Sequence, residues 1–559
     1  MGGYRDFAVV ADYVTPNKLR GLRQVLALTC GAMLACDEAG VRYSVPDDFY
    51  PYGQFRKDFL RQVSKLENAL NSMRGTSLAY ADNIYWFICY HGNYVYLSKL
   101  ISRMKKDGVR ATSIICSHYQ PFPEKKRMLS FESLNFGQFS FGLSNKISIL
   151  QELTGAIILQ CGGKGKGRRL VSFSDIKKYL TQLKLPGRGK GRGNIWVVEG
   201  GYEVSLLERY LPEFNFIDIM KEVGRIDFPR APKDSLLDYS TYPSAISLFG
   251  APLKKLFAIY YEDIIRRLPA YEAHCERKFI QDKPRALFFS VGANKAHEAL
   301  LVRMANRKGV PVFYFQHGGG GTFGFSPLHK YIEDSRGAKV IKIEREQFGS
   351  IALFNLRKSF QEKPTKDVLY CAGPPPFHVY KDLLHNCSES WSYKAHREII
   401  ETVSKCGLQL DIQVHPQEQE CMKGYFMRLP KPGTVKVLWK QPAESILKNY
   451  RLIIIDYLTS ALTPAVLMTR VPVICYTEDV EGIANPTILV ELKKRVQFVG
   501  DPDSLWRALK EVVGREVASE EFTKKYILPL GNIDPGQVMA DYVQMQIRGY
   551  EEGKRWIRN

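Results

Sequence analysis

The feature that most narrows the fold is an alternation of short apolar runs with helices of crossover length. "RALFFSV" (285–291), "NKAHEALLVRMANRKG" (294–309) and "VPVFYFQ" (310–316) read as strand, helix and strand in direct succession. A helix of this length is the usual connection between parallel neighbours, so the two strands are expected to pack side by side and parallel. The same alternation runs earlier, where "NIYWFICY" (83–90) precedes the helical "HGNYVYLSKLISRMKKDG" (91–108) and its glycine stop. "ATSIICSH", "GAIILQC" and "NIWVVEG" add further strands. Past a linker-like "FQEKPTKD" (360–367) the pattern restarts with "DVLYCAGPPP" and a helix over 391–406. It continues through "LQLDIQVHP", "VKVLW", "RLIIID", "VPVICY" and "RVQFVGDPDSLWRALKEVV".

Strand and helix repeated in this way are α/β grammar. A chain of 559 residues also exceeds what one ordinary core serves. The expectation is an α/β protein of two Rossmann-like domains facing a cleft. Residues 1–360 would form an N-terminal acceptor-side unit and 361–530 a donor-nucleotide unit. A C-terminal helix within 531–559 would cross back to the first.

Charge and cysteine usage bound the partners. Lys and Arg number 79 against 58 Asp and Glu, a net of +21, which favours polyanions: nucleic acid, anionic headgroups or phosphorylated substrates. The eleven cysteines never fall as CxxC, which argues against a disulfide framework or a zinc site and for a reducing, cytoplasmic setting. "MGGYRDFAVVADYV" lacks the parts of a secretory signal, and Asp6 stands where a myristoylation signal needs Ser or Thr. The longest apolar run, "VLALTCGAMLAC" (25–36), stops at Asp37, well short of a spanning helix. Contact with the inner face of a membrane would therefore be peripheral.

Two glycine-basic clusters interrupt the N-terminal half: "GGKGKGRR" (162–169) and "PGRGKGRG" (186–193). The first has P-loop glycine spacing, but Arg168 and Arg169 occupy the places where Lys and Ser or Thr must meet phosphate and magnesium, so a P-loop is excluded. Lys164, Lys166, Arg168, Arg188, Lys190 and Arg192 suit contact with a polyanionic acceptor or with headgroups. Solvated loops are the plain alternative, and an RNA-binding segment is a third.

Three segments could carry chemistry at strand ends, where ligands of doubly wound sheets sit. "PVFYFQ" delivers Gln316 and His317 ahead of Gly318, Gly319, Gly320 and Gly321. Glycines there let a ligand approach the backbone, and successive N–H groups can cradle an anion. A neutral His317 imidazole can accept a proton from a hydroxyl, and a charged one can pair with phosphate. A glycine turn with a capping histidine would account for the same residues without a ligand. "IQVHP" places His415 and Pro416 after a second-domain strand, where proline blocks further extension. "RLIIIDYLTSALTPAVLM" ends a strand at Asp456, then supplies Thr459, Ser460 and Thr463 before a helix starting near Pro464. Those hydroxyls can cap the helix, and its free N–H groups suit a phosphate.

The order of "FQHGGG", "HP" and "IIDYLTSALTPAVLMTRVPVI" resembles sugar-nucleotide-dependent glycosyltransferases of the GT-B fold. More narrowly it is similar to transferases of bacterial surface-carbohydrate gene clusters, distantly related to capsule Kdo and polyol-phosphate transferases. The similarity covers roughly 280–515. It implies donor binding by His415, Asp456, Thr459, Ser460 and Thr463, with His317 catalytic at the cleft. It implies a CMP-, UDP- or GDP-linked sugar as substrate, a glycan or lipid-linked acceptor, and no cofactor. No DxD-like pair sits at a strand end, so metal independence is expected. The chain departs from the pattern at "TPAVLM", where GT-B enzymes often place a ribose-holding glutamate; Glu478, Asp479 and Glu481 are the nearby substitutes. A polyol-phosphate transferase or sugar-nucleotide epimerase of the same fold is the alternative reaction. A nucleic-acid-binding protein is the alternative class, disfavoured because no recognised nucleic-acid module is present.

Overall fold

A computed structural model describes residues 5–10, 13–71, 92–115, 193–199, 202–223, 228–231, 262–289, 296–316, 322–323, 339–357, 364–373, 388–414, 419–429, 433–438, 443–458, 462–513, 515–517 and 520–552. Among the described residues the chain forms three sheets, and every strand pair is parallel.

The first sheet holds β1 (Arg5–Val10), β2 (Val25–Ala27), β3 (Tyr43–Ser44) and β4 (Val109–Ile115) in the order β3-β2-β1-β4. The second holds β5 (Gly193–Glu199), β6 (Phe214–Asp218), β7 (Pro284–Phe289), β8 (Val312–Phe315) and β9 (Ile341–Ile343), ordered β6-β5-β7-β8-β9. The third holds β10 (Lys366–Cys371), β11 (Leu410–Gln413), β12 (Val435–Leu438), β13 (Tyr450–Ile455), β14 (Val473–Tyr476) and β15 (Val496–Val499), ordered β12-β11-β10-β13-β14-β15. Counted within each sheet, the second has the 2-1-3-4-5 order and the third the 3-2-1-4-5-6 order of doubly wound nucleotide-binding folds. Both are Rossmann-like domains, and the fold class is α/β.

The strands are near-continuous apolar runs because helices cover both faces of a parallel sheet. In β13, Leu452 to Ile455 are all buried and only Arg451 is exposed. Between β7 and β8, helix Ala296–Arg307 ends ahead of Gly309, whose φ of 67° turns the chain back into the sheet so that Leu287 pairs with Val312.

Helix Pro535–Glu551 follows the third sheet in sequence but packs into the core of the second. Its Met539, Ala540, Val543 and Ile547 lie with Phe288 and Phe313 there. Gly536 fits flat against the Tyr210 ring, where any Cβ would collide, and Tyr210 Oη donates to Asp534 Oδ2 at 3.0 Å.

Two sheets lie within residues 1–360, and the first of them packs on the third sheet's helices. Helix Cys30–Ala39 shares one buried core with Tyr370, Ile399, Val403 and Phe426. Polar contacts fasten it: Asp37 Oδ2 accepts from Tyr393 Oη at 2.5 Å and Arg397 Nη1 at 2.9 Å, and Glu389 Oε2 accepts from Cys30 N at 2.8 Å. Among the described residues no helix is long and apolar enough to cross a membrane. Both glycine-basic clusters, with Lys164, Lys166, Arg168, Arg188, Lys190 and Arg192, lie outside the described residues apart from their last glycine, Gly193, where β5 begins.

Candidate functional site

In a doubly wound sheet the strand order reverses at one place, and the crevice beyond the strand ends there is where ligands enter. In the third sheet that place lies between β10 and β13, and two residues mark it. Asp456, just past β13, accepts from Gly373 N through Oδ1 at 2.6 Å and from Tyr370 Oη through Oδ2 at 2.5 Å. A Cβ on Gly373 would stand 2.9 Å from Asp456 Oδ1 and 3.0 Å from Tyr457 Cβ, so glycine is what lets the two strand ends close on each other.

Behind Asp456 lies a buried polar chain that no local sequence pattern marks. His396, on helix Glu389–Lys405, is 1% exposed. Its Nε2 lies 3.7 Å from Asp456 Oδ2, and its Nδ1 lies 3.0 Å from Tyr425 Oη. Burial pushes the Tyr425 phenol far above its ordinary value, so that hydroxyl keeps its proton. Burial and then the Asp456 charge do the same to the Cys475 thiol on β14. Asp456 is thus a clamp that holds the ends of β10 and β13 together.

Thr463 is the first residue of helix Thr463–Met468 and is 2% exposed. Leu462 holds the cap position, with no side-chain cap hydrogen bond. The expected start near Pro464 thus moves back by one residue, which puts the Thr463 side chain inside the protein. Thr459, Ser460 and His415 lie outside the described residues. Their flanks leave the same sheet edge: β11, the neighbour of β10, ends two residues before His415. Of the three acidic substitutes, Asp479 caps a short helix by accepting from Gly482 N at 2.8 Å, while Glu478 and Glu481 are exposed.

β8, which the glycine-rich segment follows in sequence, ends at the corresponding edge of the second sheet. His317 and Gly318 to Gly321 lie outside the described residues, but both flanks are fixed. Gln316 donates from N to Ile343 O at 3.2 Å and accepts from Arg345 N through Oε1 at 2.8 Å. Its Nε2 donates to Thr322 Oγ1 at 2.5 Å, joining the residues before and after the segment. Arg345 is buried next to Glu203, whose carboxylate accepts from the Ser350 hydroxyl and, at 2.9 Å, from Ile351 N. Burial raises the Glu203 carboxyl, opposed by Ser350 and Arg345.

The far flank belongs to the other domain. Phe323 is fully buried in the third sheet's core with Cys371, Ile455 and Leu458, and its ring stacks on Phe522 with centroids 6.0 Å apart. Asn485 N donates to Phe323 O at 2.9 Å and Asn485 Nδ2 to Thr322 O at 3.1 Å. The two flanks therefore belong to different domains, Gln316 to the second sheet and Phe323 to the core of the third. Phe323, Asn485 and His396 escape sequence reasoning because nothing local says which core an aromatic ring enters. No histidine, cysteine and carboxylate cluster suited to a metal ion occurs among the described residues.

No protein-family model matches the sequence, and no curated protein matches it. Solved structures do. A UDP-GlcNAc 2-epimerase from Methanocaldococcus jannaschii is 12% identical over 63% of this chain and 99% of its own, with a TM-score of 0.36. The calicheamicin glycosyltransferase CalG4 is 12% identical over 64% of this chain and 98% of its own, at 0.37. MurG of Acinetobacter baumannii is 13% identical over 63% of this chain and 99% of its own, at 0.35. Likenesses at this level fix no activity.

Proposed function

We propose that the chain is a glycosyltransferase that moves a sugar from a nucleotide-activated donor to a hydroxyl of a surface glycan or lipid-linked acceptor. One observation carries the reading: the third sheet has the nucleotide-binding strand order, and its reversal point is closed by the Gly373 to Asp456 hydrogen bond. A second doubly wound domain is tied to that unit where Asn485 holds Thr322 and Phe323. The donor would lie along the β10/β13 edge, with its phosphates toward Thr459 and Ser460. His317 and His415 are the imidazoles that follow strands of the two domains.

Transfer requires an acceptor hydroxyl to lose its proton while the leaving phosphate gathers charge. Backbone N–H groups of the glycine-rich segment suit that charge. His317 serves either as the proton acceptor or, protonated, as the partner of the leaving phosphate. The basic residues between 164 and 192 suit a polyanionic acceptor or an anionic membrane surface. The test is to incubate the full chain with UDP-, GDP- and CMP-sugars and follow products by mass spectrometry. A sugar conjugate with released nucleotide is expected. An isomerised sugar nucleotide would make it an epimerase, and a transferred phosphate group a polyol-phosphate transferase.

A further inference from the structure

The units built on all three sheets meet on one short stretch, residues 479–485, which follows β14, the neighbour of β13. Asp479 caps helix Val480–Ile483 by accepting from Gly482 N at 2.8 Å, and its own N donates to Thr477 Oγ1 at 3.2 Å. Ala484 N donates to Val480 O at 3.0 Å, and Ile483 and Ala484 are buried in the third sheet's core. Asn485 ends the stretch and caps the next turn, its Oδ1 accepting from Thr487 N at 3.0 Å. Bonded at both ends and packed in the middle, the stretch behaves as one piece.

Two contacts from outside the third sheet's domain grip it three residues apart. From the first sheet's unit, Arg56 Nη2 donates to Gly482 O at 3.3 Å. Arg56 is 8% exposed and lies on helix Tyr52–Asn71. Its neighbour Phe55 is buried against Tyr96 of helix Gly92–Lys106, with ring centroids 5.0 Å apart, so a fixed helix carries the guanidinium. Gly482 makes the approach possible: a Cβ there would collide with Asp479 Oδ2 and stand 3.1 Å from Arg56 Nη1. From the second sheet's unit, Phe323 O and Thr322 O accept from Asn485 N and Nδ2 at 2.9 and 3.1 Å. Thr322 Oγ1 accepts from Gln316 Nε2, which leads back to the end of β8.

A carbonyl and an amide side chain three residues apart on one packed turn do not shift independently. Residues that share a partner respond together when either is changed, whereas distant residues without one respond additively. We propose that residues 479–485 are a coupling joint, through which Arg56 of the first sheet's unit and Thr322 of the second sheet's unit each set the pose that the other meets. A displacement of either unit is passed across the third sheet's edge to the other. Helix Cys30–Ala39 holds the first unit on the third sheet through a separate buried core, so loss of the Arg56 contact leaves that unit in place. The joint operates whatever reaction the chain catalyses.

The experiment follows hydrogen exchange of the full chain by mass spectrometry in Arg56→Met and Asn485→Ser. Methionine keeps the buried stem and removes the donor to Gly482 O. Serine keeps a cap for Thr487 N and removes the donor to Thr322 O. Arg56→Met should quicken exchange about twofold or more in 484–488 and in 312–316, beyond the joint, since one lost hydrogen bond is worth about that factor upward. Asn485→Ser should do the same in 52–65. The double variant should lose less melting temperature than the two single losses added together. Circular dichroism checks folding, and if one single variant does not fold the other decides alone, because coupling is reciprocal. Quickening confined to the side of the joint that carries the substitution overturns the proposal, and so do melting losses that simply add.

Discussion

Replacing Phe323 with alanine probes the join between the two domains. The residue is fully buried, in contact with a core built from β10, β13 and helix Glu520–Tyr526, although its own chain comes from β8 of the other domain. Removing a buried phenyl ring costs about 3–5 kcal/mol, the upper part applying where the cavity cannot collapse. Here collapse is hindered, because Thr322 and the Phe323 backbone stay held by Asn485 and the Phe522 ring keeps its place on the helix. Loss of the stacked pair with Phe522 is included in that figure. A domain is commonly stable by about 5–15 kcal/mol, so this is a large share. Urea unfolding followed by circular dichroism should show the transition of the third-sheet domain moving to lower denaturant. Hydrogen exchange should quicken in 366–371 and 450–455 ahead of 284–289. A midpoint shift worth less than about 1 kcal/mol, with exchange unchanged in both sheets, would refute burial of Phe323 in the third sheet's core.

Asp456→Ala should cost about 2–5 kcal/mol, because Tyr370 Oη and Gly373 N both lose their acceptor, and should abolish nucleotide-induced stabilisation; thermal melting with and without UDP, GDP or CMP checks both. Exchanging Lys164, Lys166, Arg188 and Lys190 for Gln should weaken binding to anionic liposomes or acceptor glycans most at low salt and leave nucleotide affinity unchanged, as flotation and calorimetry would show. Burial holds the Glu203 carboxyl above its ordinary 4.5 in the folded chain. The unfolded chain therefore loses this proton first, and the group's favourable contribution is full below about 4.5 and declines as pH rises through the folded value. Glu203→Gln should flatten stability against pH across that window, measured by urea midpoints from pH 4 upward.

Much of the fold can be read from local signals. β7, helix Ala296–Arg307 and β8 stand where "RALFFSV", the glycine-stopped helix and "VPVFYFQ" place them, and Leu287 and Val312 pair in parallel as that spacing requires. The six strands of the third sheet likewise match apolar runs bounded by turns. Contacts between distant segments are not legible in this way. That Cys30 donates to Glu389, or that Val543 lies beside Phe313, depends on the shapes of two assembled surfaces rather than on any local pattern. In the candidate site, Gln316 and Asp456 are visible because they end apolar strands. Arg345, whose N donates to Gln316 Oε1, is not: it is 29 residues beyond Gln316, and only the pairing of β8 with β9 brings its helix to the same edge.

Nucleotide seating in the β10/β13 crevice is tested most directly by a crystal structure of the full chain grown with UDP, GDP or CMP. The nucleotide chosen should be one that raises the melting temperature, an effect of about 2.7 kcal/mol at a hundredfold over its Kd. Density for the nucleotide beyond the ends of β10 and β13, with phosphates at the backbone between Asp456 and Thr463, is the expected result. Density elsewhere, or no nucleotide that stabilises the chain while short RNA does, would contradict it.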